Sequence, residues 1–246
     1  MRATLFGALV LDLVVYFTIV GSLPGLSLDG DVAVTAIVLL PAVLALVLLA
    51  LPVRHWNGLA PVGLAFLVLA LVAETADLEV VANLAKLAAM TVIGFWFLGY
   101  FERLSWVVIV AAVIPVVDAV SVWRGPTRHI VTERPEVFGV LSFAFPVPDA
   151  GSFQLGLPDL LFFAVFLGSA ARWALRVGPT WLAMTASFGV TMASAVYSDP
   201  FGIGGLPALP LLSVAFLLAN GDLLWHAIRR DRVVQKVTNR SSARGE

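Results

Sequence analysis

Apolar stretches about as long as a bilayer is thick recur from one end of this chain to the other, and that repetition limits the fold more than any single residue does. A hydrocarbon core of about 30 Å asks for roughly 20 mostly apolar residues in helix. Stretches of this kind, bounded by charge, glycine or proline, fall at 3–22, 32–51, 59–73, 81–101, 104–123, 155–175, 180–197 and 206–228. The third is the shortest. A lone strand in lipid would leave its backbone N–H and C=O groups unpaired, and no alternating ten-residue pattern of a barrel is present, so each segment is expected to be a helix. The expected fold is an all-α polytopic bundle, with a single transmembrane domain over 1–228. Composition agrees. Hydrophobic residues make up 60% of the chain and charged ones 13%, where a soluble domain carries about a quarter charged. Such a chain cannot cover a water-facing surface. The first twenty residues read as the first span, because their apolar core is longer than a secretory signal's and no A-x-A site follows.

Most of the charge lies in the joints and the tail. The longest connection, 124–154, contains Pro126, Pro135, Pro146 and Pro148 and is the natural place for a mobile loop or hairpin; the apolar run 137–145 within it suits either the membrane interface or a short strand. A basic tail, 229–246, is expected to be solvated and disordered on an anionic leaflet. With the N-terminus inside, Arg2, Arg54, Arg103, Arg172, Arg176 and the six basic tail residues collect on the cytoplasmic side, against Arg124, Arg128 and Arg134 outside, so both termini are expected inside. The chain has no cysteine, which removes disulfides, thiolate nucleophiles and cysteine metal sites. His55, His129 and His226 are scattered without ligand spacing, and no metal site is expected. Nothing in the sequence suggests nucleic-acid binding, and it leaves the oligomeric state open.

An ionised carboxylate at mid-membrane costs at least a few kcal/mol, so acids inside spans call for a partner, a proton or a wet cavity. Asp118 lies in AAVIPVVDAVSVW and Asp159 in LGLPDLLFFAVF, 41 positions apart on consecutive spans joined by the long loop. An antiparallel pair of helices can bring the two face to face. Two carboxylates that close share a proton: the charged one activates water while the protonated one polarises a carbonyl. The plainer alternative is that each caps a helix or pairs with Arg124 or Arg172, and Pro158 before Asp159 suits a first helical turn. Asp12, Glu74, Lys86, Asn220 and Asp222 lie in or near spans, mostly within reach of headgroups, and Lys86 has Glu74 and Glu79 as candidate partners. Trp56, Trp106, Trp123, Trp181 and Trp225 fall near span ends, as an interfacial belt requires.

A third element, GGLPALP at 204–210, precedes the last span. Its two prolines delay the helix and leave backbone groups unpaired at depth, which is tolerated where protein or a wet cavity supplies partners. Proline and glycine are also ordinary at span starts.

In this order, an Asp span, a loop, a Gly-Leu-x-Asp span and a Pro-Ala-Leu helix, the chain resembles the presenilins and signal peptide peptidases, the GxGD intramembrane aspartyl proteases, in a short prokaryote-like form. The stretch 118–134 (DAVSVWRGPTRHIVTER) is similar to the presenilin segment after its first catalytic Asp, 155–168 (LGLPDLLFFAVFLG) to the second catalytic helix, and 206–216 (LPALPLLSVAF) to the helix that helps bind substrate. The likeness covers about half the chain; the earlier spans match only in hydropathy.

The resemblance implies Asp118 and Asp159 as a catalytic dyad, with Gly156, Leu157 and Pro158 as the neighbouring backbone site and Pro207, Ala208 and Leu209 as the substrate-positioning element. It places the catalytic half at about 105–228, requires no cofactor, and makes transmembrane segments the substrates, within the bilayer and by expectation in a prokaryotic plasma membrane. The chain departs from the family at Val117, where an aromatic is usual, and at Pro158, where the family has glycine; eight spans are counted where the family has nine. A non-catalytic relative, or a transporter or channel carrying protons or cations on the same acids, is the alternative.

Overall fold

Each apolar segment of the sequence forms a helix in the computed structural model, which describes residues 1–124, 135–148, 151–198 and 206–242. Arg128 and Arg134 of the long loop and Gly204 and Gly205 of the third element lie outside the described residues. The long helices are α1 (Arg2–Ile19), α2 (Leu28–His55), α3 (Leu59–Thr75), α4 (Glu79–Leu98), α5 (Leu104–Arg124), α7 (Leu157–Arg172), α8 (Val177–Tyr197) and α9 (Leu209–Ser242), with a short α6 (Pro135–Val140) after the loop. Five stretches among the described residues are long and apolar enough to cross a membrane: Arg2–Ser22, Leu28–His55, Glu79–Leu98, Leu104–Val122 and Leu209–Ala227. The protein is therefore a multi-pass helical membrane protein.

The remaining long helices fall short for local reasons. Helix α3 has 17 residues, and α7 has only 16. The apolar run expected as a helix from 155 opens in extended backbone, because Leu155 and Gly156 pair with Phe143 and Ser142 in a two-stranded antiparallel sheet. That sheet joins β1 (Ser142–Val147) to β2 (Gly151–Gly156) and is the exception to an all-helical fold. The run 137–145 thus divides, its first part in α6 and the rest in β1.

The basic tail is a second departure from expectation: α9 continues through it to Ser242. No glycine or proline stands between Gly221 and Ser242, and the Arg, Lys and Gln side chains there are good helix formers that let the last span run on.

Helix α2 contains a π-helical turn at Thr35–Leu39, just before Pro41. Proline has no N–H to donate and its ring crowds the carbonyl of the preceding turn, and the wider turn relieves both. In α5, Pro115 withdraws one donor from the ladder a turn before Asp118.

The core is built around α4 and α7. Phe163, Ala164, Val165, Phe166 and Leu167 of α7 are fully buried, and α4 contributes Ala82, Ala85, Ala89 and Phe95. Small residues let the two helices meet closely, as is usual where lipid gives no hydrophobic drive to association. A Cβ built on Gly94 of α4 would lie 2.8 Å from the Leu161 carbonyl oxygen of α7. Stacked rings tie α7 to its other neighbours, Phe163 on Phe188 of α8 at 5.9 Å and Phe166 on Phe216 of α9 at 4.8 Å. Outward residues such as Ile109, Val113, Val116 and Val120 of α5 leave an exposed apolar face, as lipid contact requires.

Several polar residues near helix ends are structural joints. Asn220, placed by the sequence within reach of headgroups, is instead fully buried. Its Nδ2 donates to Thr180 Oγ1 at 2.7 Å and its Oδ1 accepts from the Arg176 N–H at 3.0 Å, so it locks α9 to the start of α8. Arg176 adds a two-bond pairing with Asp222 at 2.8 and 2.6 Å. Trp181, read as a belt residue, donates its indole N–H to the Leu44 carbonyl at 3.0 Å.

Candidate functional site

Asp118, on the last turns of α5, and Asp159, in the first turn of α7, line the same cavity. It encloses about 430 Å³, and Gly156, Pro158, Pro207 and Ala208 stand on its wall beside them.

Asp118 is held by a backbone amide. The Leu209 N–H, at the start of α9, donates to Asp118 Oδ2 at 3.1 Å. This is one of the donors that a helix start leaves unpaired, and Pro210 next to it has none to offer. The two prolines therefore end the chain's approach at the point where Asp118 waits, and α5 and α9 are joined through the carboxylate. Asp159 sits three residues beyond Gly156, the N-cap of α7. A Cβ on Gly156 would come within 3.0 Å of Asp159 Oδ2, so the absence of a side chain there lets the carboxylate fold back.

Pro158 occupies the second position of α7. Its missing N–H would have had no intrahelical partner there, so proline fits the local backbone. Leu157 turns into the core and does not line the cavity; its N–H donates to the Leu141 carbonyl at 3.0 Å. Leu209 is also buried and serves the site through its amide. Arg172, a possible partner for an acid, donates to the Leu98 carbonyl at 2.8 Å and lies over Trp173. The Arg124 side chain lies outside the described residues.

The hairpin brings a strand to the cavity. Ser152, Phe153, Gln154 and Leu155 of β2 all reach its wall. Ala144, opposite Gln154, bonds both its N–H and its C=O to the Asn83 side chain on the far side of β1. That pair is therefore one of the non-bonded pairs of an antiparallel ladder. Gln154, and by alternation Ser152 and Gly156, point their N–H and C=O groups away from β1. Two features escaped sequence reasoning: the pairing of 151–156, which reads as loop and helix, and Asn83. The one signal for Asn83 was its spacing, three residues before Lys86 in an apolar helix.

No family model matches the chain, and no curated protein matches it. The geometry and the chemistry of its donors stand on their own.

Proposed function

We propose that this protein is an intramembrane aspartyl protease of the presenilin and signal peptide peptidase kind, acting on transmembrane segments through Asp118 and Asp159. The observation that carries this reading is that both acids line one cavity, whose wall also holds the edge of β2 that has no strand partner among the described residues. An extended peptide can add to that edge as a third strand, since its backbone offers the same alternating donors and acceptors. Its scissile bond then lies beside the strand's end, where the chain turns into the helix that carries Asp159.

In the reaction, the ionised carboxyl takes a proton from water as the oxygen bonds to the carbonyl carbon, and the protonated carboxyl gives its proton to the carbonyl oxygen. The carboxyl that took the proton of water then gives it to the amide nitrogen of the tetrahedral adduct, a hydroxyl of the adduct returns its proton to the other carboxylate as the C–N bond breaks, and a carboxylic acid and an amine leave. The chemistry asks for no cofactor. Pro207 and Ala208 bound the same cavity and position the substrate. In this reading all eight long helices cross the bilayer, both termini are cytoplasmic, and the membrane is a prokaryotic plasma membrane.

One observation favours the plainer alternative, a non-catalytic scaffold: Asp118 receives a helix-end amide. Exchange to asparagine separates the two. Asparagine accepts the same amide hydrogen bond about as well as aspartate, yet it can neither take a proton from water nor share one. Purified Asp118→Asn and Asp159→Asn proteins in detergent, given a single-span test substrate, are expected to melt near the wild type and to cleave at background rate. Cleavage that survives either change would defeat the assignment.

A further inference from the structure

The sheet has two outer edges, and side chains from the helices occupy one of them. Asn83 and Lys86 stand on the same face of α4, one turn apart, and are only 7% and 5% exposed. The Asn83 carboxamide donates from Nδ2 to the Ala144 carbonyl, and its Oδ1 accepts from the Ala144 N–H at 2.9 Å. This reproduces the two-bond pattern that a neighbouring strand would make. Lys86 Nζ donates to the Gly139 carbonyl at 3.0 Å, just before β1, and is held by Glu74 at 2.8 Å. Two residues beyond Ala144, the Tyr16 hydroxyl donates to the Pro146 carbonyl at 3.1 Å, and Pro146 has no N–H. The edge of β1 that faces away from β2 is thus taken at Ala144 and Pro146.

We propose that Asn83, supported by Lys86, is a positioning residue: it docks β1 on α4, closes that edge to a visiting peptide, and holds β2 in the register that presents beside Asp159 the edge left without a strand partner among the described residues. The inference rests on the protease reading. Polar side chains at membrane depth are costly, and apolar ones would pack α4 against the hairpin as well or better. Apolar contact alone fixes register poorly. A slip of one residue would reverse every side chain of the strand, turning the buried Phe143 and Phe145 outward and the β2 amides away from the cavity. A side-chain amide that pairs with both groups of a single residue admits one register only.

The test uses full-length protein in detergent. Asn83→Leu keeps the side chain's branched shape and heavy-atom count and cannot pair. Hydrogen exchange across 142–147 should rise, and KM for a single-span substrate should increase about tenfold or more for the loss of two hydrogen bonds, with kcat changed far less. Asn83→Asp supplies a second readout and a safeguard against misfolding. Protonated, a carboxyl at position 83 restores both donor and acceptor; ionised, it loses the donor and faces the Ala144 carbonyl oxygen. Its KM should approach that of the wild type at low pH and climb as pH rises, relative to the wild-type profile. Unchanged exchange in Asn83→Leu would overturn the docking. Raised exchange with unchanged KM in Asn83→Leu, or a flat KM ratio in Asn83→Asp, would overturn the positioning role. A wild type that cleaves nothing would remove the protease reading, and the positioning role with it, while the exchange measurement would still decide the docking.

Discussion

Gly94→Ala is the sharpest probe of how α7 holds Asp159 in place. The added Cβ would lie 2.8 Å from the Leu161 carbonyl oxygen and 2.9 Å from Ala164 Cβ. A carbonyl oxygen and a Cβ move only with the α7 backbone, so no rotamer change relieves the clash. To restore ordinary contact α7 must withdraw by roughly 0.6 Å. Overpacking of this kind costs about 1–3 kcal/mol, and alanine's better helix propensity returns at most about 1 kcal/mol. Gly7→Ala on α1 measures that return alone, because nothing lies within 4 Å of its Cβ. At about 2–4 °C per kcal/mol for a chain of this size, Gly94→Ala should melt several degrees below Gly7→Ala in the same detergent. Activity should fall further than stability. A misplacement near 1 Å can cost about 100-fold in rate, so the smaller shift predicts a loss of about tenfold in substrate cleavage. If Gly94→Ala melts with Gly7→Ala and cleaves at the wild-type rate, the close approach of α4 and α7 does not position the site.

Two further substitutions test single contacts. Pro158→Gly should keep the fold and the cleavage, because the second position of a helix needs no N–H, and should lower stability by about 0.4–1 kcal/mol through the freer unfolded chain; loss of cleavage would show that the proline itself shapes the site. Lys86→Met leaves Glu74 and the Gly139 carbonyl without their partner. Breaking a buried ion pair costs about 3–5 kcal/mol, but the Glu74 side chain is 34% exposed and can regain water, so a loss of about 1–3 kcal/mol is expected by thermal unfolding, and no loss would place the pair in open solvent.

The sequence alone determined the parts that depend on local composition. Length and apolarity set the positions of the long helices, since only a helix satisfies its own backbone in lipid. The same rule singled out Asp118 and Asp159 as acids needing an explanation, and the prolines around Ala208 and Leu209 as a break before the last helix. Tertiary structure decided the rest, because it depends on partners distant in the chain. Whether 151–156 forms strand or helix turned on a pairing partner, β1, and on the Asn83 side chain, 61 positions away from Ala144, that occupies its other edge. The amide that meets Asp118 comes from Leu209, 91 positions on. Asn220 looked like a headgroup residue until Thr180 and Arg176 were found beside it. Hydropathy measures what a segment can bury; which neighbour it buries against, and where its hydrogen bonds go, is settled only when the helices pack.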